Sequence, residues 1–178
     1  MKRLCVVALL GLVVAAGIYA FRRGPNDIHA VAQRTGIAGL FVYDWAKDAE
    51  GITEITLERE FYFGMGPVYK LILRRDGSAD YTGVANVSRI GKSTAKDPRL
   101  AFEFTYLARL IAHQRFLKMD DRYATSMTDQ ETVVTSVVHN GQRKTILNYG
   151  RTAPMELYGI EMAIDAVAAR IEWEPTRQ

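Results

Sequence analysis

Apolar side chains recur along residues 52–175 with two different periods, and each switch of period marks an element. "ITEITLERE" (52–60) alternates, setting Thr53, Ile55 and Leu57 on one side of a strand. "VYKLILRRDGSADYTG" alternates on both sides of Asp76-Gly77, two residues that tolerate the positive φ of a primed hairpin turn. A two-residue turn there sets Ile72 opposite Tyr81 and Arg74 opposite Ala79, and a slip of one residue would exchange the buried and exposed sets. "VANVSRIGKSTAKD" keeps neither period and is expected to form a loop or a short irregular crossing. From Pro98 the spacing becomes helical, with Leu100, Phe104, Leu107 and Ile111 on one face. Pro98 suits a first helical turn, where its missing N–H costs nothing extra. "QETVVTSVVHNGQRKTILNY" predicts a second hairpin turning at Asn140-Gly141, with Val134 across from Leu147. "APMELYGIEMAIDAVAARIEWEP" predicts an amphipathic helix carrying Leu157, Ile160, Ile164, Val167 and Ile171 and stopped by Pro175.

These elements predict an α+β body: an antiparallel sheet of about four or five strands packed against two amphipathic helices, so that one sheet face buries both apolar stripes. An N-terminal membrane helix is expected to precede it. The chain divides into residues 1–23, an anchor or signal segment; 24–51, a partly helical connection in which Phe41, Tyr43 and Trp45 argue for packing; and 52–178, the α+β domain.

Charge sharpens the reading of the N-terminus. Residues 4–21 carry no charge and would span about 27 Å as a helix, enough for a thin hydrocarbon layer. Lys2, Arg3, Arg22 and Arg23 flank this run and account for the formal charge of +3: without them 19 basic residues face 20 acidic ones. The body is therefore near neutral, which argues against nucleic-acid binding. The run is read as a single-pass anchor in the bacterial inner membrane with the domain in the periplasm. The alternative is a cleaved signal that releases the domain as a periplasmic or secreted protein. Cys5 is the single cysteine, so no intramolecular disulfide is possible and the domain must be held by its core.

"YFGMGPVY" (62–69), followed by "RRDG" (74–77), resembles the bacterial family catalogued as domain of unknown function 6438, whose members are typically exported or envelope proteins. The family feature is Cys-x-Gly-x-Cys-Pro-x-Tyr between the first two strands. Gly64, Pro67 and Tyr69 match it, and "FLKMDDRYATSMTDQETVVTSVVHNGQRKTI" is similar to a later family segment, so the resemblance covers about two thirds of the chain. Tyr62 and Gly66 stand where the family pattern has its two cysteines, which removes thiol or thiolate–metal chemistry from these positions. Gly64 and Gly66 supply backbone freedom and Pro67 restricts entry to the strand. Phe61, Tyr62, Phe63 and Tyr69 are expected to form a ring cluster, which can replace the bracing of a crosslink by burying aromatic area. Tyr62, Gly64, Gly66, Pro67, Asp76 and Gly77 are thus read as structural, and Phe63, Met65, Tyr69 and Tyr81 as a binding surface.

Other motifs carry less. "IGKST" (90–94) lacks the upstream glycine of a phosphate-binding loop, Asn86 standing in its place, so no nucleotide is expected. His29, His113 and His139 show no metal-ligand spacing, and Asp44 with Asp48 reads as a solvated helical pair. No serine sits in a nucleophile elbow. Neither a cofactor, a metal nor a catalytic residue is assigned. The expected function is non-catalytic binding of an envelope protein, peptide or cell-wall component. The alternatives are a structural or self-assembly component, and an envelope hydrolase assembled from His113, His139, Asp120, Asp121 and Asp129.

Overall fold

The computed structural model describes residues 45–60 and 66–176. Helix α1 (Trp45–Gly51) leads into β1 (Ile52–Glu60), followed by β2 (Val68–Arg74), β3 (Ser78–Ala85) and β4 (Gly91–Lys96). Helix α2 (Pro98–His113) and a 3-10 turn (Phe116–Lys118) come next, then β5 (Arg122–Ala124), β6 (Thr132–His139), β7 (Gln142–Tyr149), helix α3 (Met155–Ala168) and β8 (Glu174–Pro175).

The strands form one sheet of eight in the order β5-β7-β6-β1-β2-β3-β4-β8. Every neighbouring pair is antiparallel except β5 with β7, which is parallel. The sheet is therefore mixed and larger than the four or five antiparallel strands expected, and three helices accompany it. The added strands are ones that apolar alternation cannot reveal. β4 reads "GKSTAK", with only Ser93 and Ala95 turned from solvent, and it is held by a six-residue ladder to β3. β5 and β8 are three and two residues long. The membrane segment expected over residues 4–21 lies outside the described residues, and among those described no helix is long and apolar enough to cross a membrane.

The second hairpin has the expected register, Val134 facing Leu147. Asn140 (φ 50) and Gly141 (φ 78) both adopt the positive φ of a type I′ turn. The first hairpin differs by one residue: Leu71 faces Tyr81, Ile72 faces Asp80 and Leu73 faces Ala79. Its loop is Arg75-Asp76-Gly77, closed by the Gly77 N–H donating to the Arg74 carbonyl at 3.0 Å. Arg75 is drawn out of the strand because its guanidinium reaches back to the carbonyls of Ala49 at 3.0 Å and Ile52 at 2.8 Å, tying the turn to the end of α1. Gly77 takes φ 78, and a Cβ there would lie 2.5 Å from the Asp97 carbonyl oxygen, so the turn also abuts the start of α2. In β1 a register shift between Ile52 and Glu54 turns Ile52 and Ile55 both inward. Thr53, expected beside Ile55, is exposed instead.

Helices α2 and α3 contribute Leu100, Phe104, Leu107, Ile111, Leu157, Ile160, Ile164 and Val167 to a core shared with Ile55, Leu57, Leu71, Leu73, Val137 and Ile146 of the sheet. Asp97 caps α2 by accepting from the Arg99 N–H at 2.8 Å, with Pro98 in the first turn. Helix α3 ends at Ala168, well before Pro175. Trp173 Nε1 folds back to donate to the Ala168 carbonyl at 3.3 Å, leaving Ile171 half-buried beyond the helix and Glu174–Pro175 paired with β4.

Candidate functional site

On the helix-covered face, one cross-strand row runs Gly91, Gly83, Tyr69, Arg59, Val133, Asn148. β1 presents Ile55 and Leu57 to the core, and the same alternation then delivers Arg59 inward. Its side chain is only 9% exposed. A buried guanidinium demands compensating acceptors. Nη1 lies 2.7 Å from Glu131 Oε1, while Nη2 and Nε donate to Asp165 Oδ2 at 2.6 and 3.2 Å. Nε also donates to the Tyr69 hydroxyl at 3.2 Å, and that hydroxyl donates to Asp165 Oδ1. Glu131 Oε2 accepts from Arg151 Nε at 2.8 Å. Strands β1 and β2, helix α3 and the loops before β6 and after β7 are thus tied through one relay: Arg151, Glu131, Arg59, Asp165, Tyr69.

Burial alone would lower the pKa of Arg59, but the hydrogen bond and charge of Asp165, helped by Tyr69, outweigh it and hold the guanidinium firmly charged. Burial and then the bond to Asp165 push the Tyr69 phenol well above its usual range, with Arg59 opposing. Glu161, one helical turn before Asp165, is 2% exposed. Burial raises its pKa, against the hydrogen bond from Asn148 and the charge of Arg59, with Glu131 and Asp165 adding repulsion. Asn148 Nδ2 donates to Glu161 Oε1 at 3.2 Å, and the amide is oriented by Ala153 N–H donating to its Oδ1 at 3.2 Å.

A cavity of about 220 Å³ opens against this cluster, bordered by Arg59, Pro67, Tyr69, Glu161 and Met162. Across Tyr69 and Asp165 lies a second, of about 330 Å³, walled by Tyr81, Arg89, Ile171 and Trp173. A third, of about 600 Å³, begins on the far side of Trp173 among Lys96, Arg99, Glu103 and Arg170. The three share walls and follow the C-terminal half of α3 as a groove. Its floor is a ladder of half-buried rings: Tyr69 stacks on Tyr81 with centroids 5.5 Å apart, and Tyr81 meets Trp173 at 5.4 Å with a tilt of 43°. Within the relay, each nitrogen of Arg59 and the Tyr69 hydroxyl donates to a neighbour, so the relay braces the groove wall. Glu161 is the exception, a buried carboxyl beside the cavity held by a single amide.

Of the binding surface expected from sequence, Tyr69 and Tyr81 come together in this ladder, while Phe63 and Met65 lie outside the described residues, as do Tyr62 and Gly64. Gly66 accepts a hydrogen bond from Asn86 Nδ2 at 3.0 Å, and Pro67 borders the first cavity. Asp76 and Gly77 belong to the turn at the other end of β2, where Asp76 accepts from the Ser78 N–H at 3.0 Å and Oγ at 2.6 Å.

The residues considered for a hydrolase are not gathered. His139 Nε2 lies 3.8 Å from Asp48, Asp121 is bound by Lys144, Asp120 meets the Tyr123 hydroxyl through its backbone, and Asp129 sits in a loop at φ 59. His113 ends α2. Among the described residues no three His, Cys, Asp or Glu side chains are grouped to hold a metal ion. Within "IGKST", Gly91 to Thr94 form the start of β4, and Ile90 precedes it.

Arg59, Glu131, Asp165, Glu161 and Trp173 escaped the sequence reading. Two of them left a signal: Arg59 occupies an inward position of the β1 alternation, and Glu161 stands on the α3 stripe between Leu157 and Ile164. A charge in an apolar register points to a buried partner.

Residues 53–168 match the model of a family described as Domain of unknown function (DUF6438). The match reaches from β1 to the end of α3, enclosing Arg59, Tyr69, Glu131 and Asp165 but not Trp173. No curated protein matches the chain.

Proposed function

The chain belongs to the DUF6438 family, whose description names no activity, and we propose that it is a non-catalytic binding module of the bacterial envelope. It takes a segment of an envelope protein, peptide or cell-wall component along the Tyr69–Tyr81–Trp173 ladder. The observation that carries this reading is the ladder itself: three half-buried rings border adjoining cavities, beside a wall braced by Arg59 and Asp165. Rigid rings offer large apolar area at small entropic cost, and a pre-formed wall lowers the cost of binding further. The uncharged run at residues 4–21, first in the chain and followed by the domain, supports placing that domain on the outer side of the inner membrane, tethered or released.

Crosslinking pull-down from intact envelopes tests it. The wild-type chain should recover a partner that the Tyr81→Ala/Trp173→Ala double variant loses while its circular dichroism stays native; equal recovery by both would remove the groove from contention. A structural, self-assembling role is the second reading, favoured by the exposed apolar face of α3. The hydrolase reading draws less support, since His139 approaches Asp48 and not the aspartates it was paired with.

A further inference from the structure

Helix α3 is apolar on the wrong side as well as the right one. Its inner stripe is buried in the core, yet Met155, Gly159, Met162, Ala166 and Ala169 are all exposed, Met155 to 76% and Met162 to 45%. Their spacing of four, three, four and three residues is that of the seam of a coiled coil. A surface helix normally turns charged residues outward, and one that is apolar all round is normally covered. The charges flanking this seam are Glu156 and Arg170 near its two ends on one side and Asp165, 25% exposed and already bound to Arg59, on the other.

We infer that this seam is a self-association surface on which the α3 helices of two copies of the chain pack antiparallel about a two-fold axis near residues 163 and 164. The occupant is a second copy because the seam complements itself. In the antiparallel register Met162 of one copy lies against Ala166 of the other, and Gly159 against Ala169, large against small, with no Cβ at Gly159 to hold the helices apart. The same register sets Glu156 of each copy beside Arg170 of the other, so both ends are matched in charge. Arg170 is 59% exposed and shares only Glu103, at 3.1 Å, within its own chain. A closed two-fold pairing covers both seams at once and leaves none to propagate. Met162 also borders the cavity against Arg59, so the second helix would flank its mouth. Ala169 likewise borders the second cavity, so the seam runs along the helical wall of the groove, although none of the ladder rings belongs to it.

The test uses the full chain in mild detergent with Cys5→Ser. In the proposed register Ala163 meets its own copy, so Ala163→Cys should form a disulfide-linked dimer about tenfold faster than Val84→Cys, a more exposed control on β3. Adding Ala166→Glu, an exposed change that leaves the core intact, should reduce that rate to the control level and shift sedimentation to the monomer. A wild-type chain that sediments as a monomer, crosslinking at Ala163→Cys no faster than the control, or a dimer that survives Ala166→Glu would each overturn the inference.

Discussion

Asp165, on the third helix, holds Arg59, on the first strand, from two directions: its Oδ2 accepts from Nη2 at 2.6 Å and from Nε at 3.2 Å. The pair fastens α3 to the centre of the sheet, and both edges of the groove depend on where that helix lies. Arg59→Met would leave Glu131 and Asp165 without their shared cation, and losing one member of a buried pair costs about 3–5 kcal/mol. Discounted for the 17% and 25% exposure of the two carboxylates, a loss near the lower figure is expected in the urea unfolding free energy. A midpoint unchanged from wild type would show that the cluster does not anchor the helix.

Tyr69→Phe keeps the ring stack and deletes only the hydroxyl that joins Arg59 Nε to Asp165 Oδ1. It should cost about 1–3 kcal/mol, the penalty for buried polar groups left without a partner. Tyr69→Leu, which also removes the stack on Tyr81, should cost more. Equal losses for the two variants would assign the stack on Tyr81 no weight, and a Tyr69→Phe variant as stable as wild type would assign the hydroxyl none.

Glu161 makes stability depend on pH in a definite direction. Burial raises its folded pKa above the unfolded glutamate value, so between the two values the folded protein holds the proton that the unfolded chain has released. Its favourable contribution is therefore fully present below the unfolded pKa and is lost as pH rises through the folded one. Glu161→Gln keeps a neutral side chain that can still accept from Asn148. It should unfold at higher urea than wild type at neutral pH, with the gap closing as pH falls below the ordinary glutamate range. A gap independent of pH would contradict the account.

The two hairpin glycines should differ although their φ values are alike. Gly141 sits in open space, so Gly141→Ala should cost about 1 kcal/mol, from backbone strain alone. At Gly77 a Cβ would also strike the Asp97 carbonyl oxygen at 2.5 Å, and Gly77→Ala should be clearly the more damaging. Thermal unfolding of both variants decides it, and equal shifts would mean that the first turn does not press on α2.

How far the sequence could be read follows from where its information is local. The Asn140-Gly141 hairpin, the buried face of α2 and the inner stripe of α3 were legible, because turn chemistry and apolar spacing act over a few residues. The first hairpin register was not: it turns on Arg75 reaching the carbonyls of Ala49 and Ile52, more than twenty residues earlier. β4 carries no strand signature of its own, because its order comes from a partner strand and not from its own side chains. Tyr69 and Tyr81 stood out as aromatics near the Gly-x-Gly-Pro segment, but nothing local indicated that Trp173 would fold back to complete their ladder, or that Glu131 and Asp165, 72 and 106 residues further along the chain, would converge on Arg59. A charge in a core register was the one visible trace of that cluster.

The groove claim is tested most directly by the fluorescence of Trp173. The chain has two tryptophans, so a Trp45→Phe background isolates the one on the ladder. Titration with soluble cell-wall fragments and with envelope-protein peptides should shift or quench its emission saturably with at least one of these ligands, and Tyr81→Ala should weaken that response. Emission that stays constant against the whole set, from a chain shown to be folded, would contradict the binding role assigned to the groove.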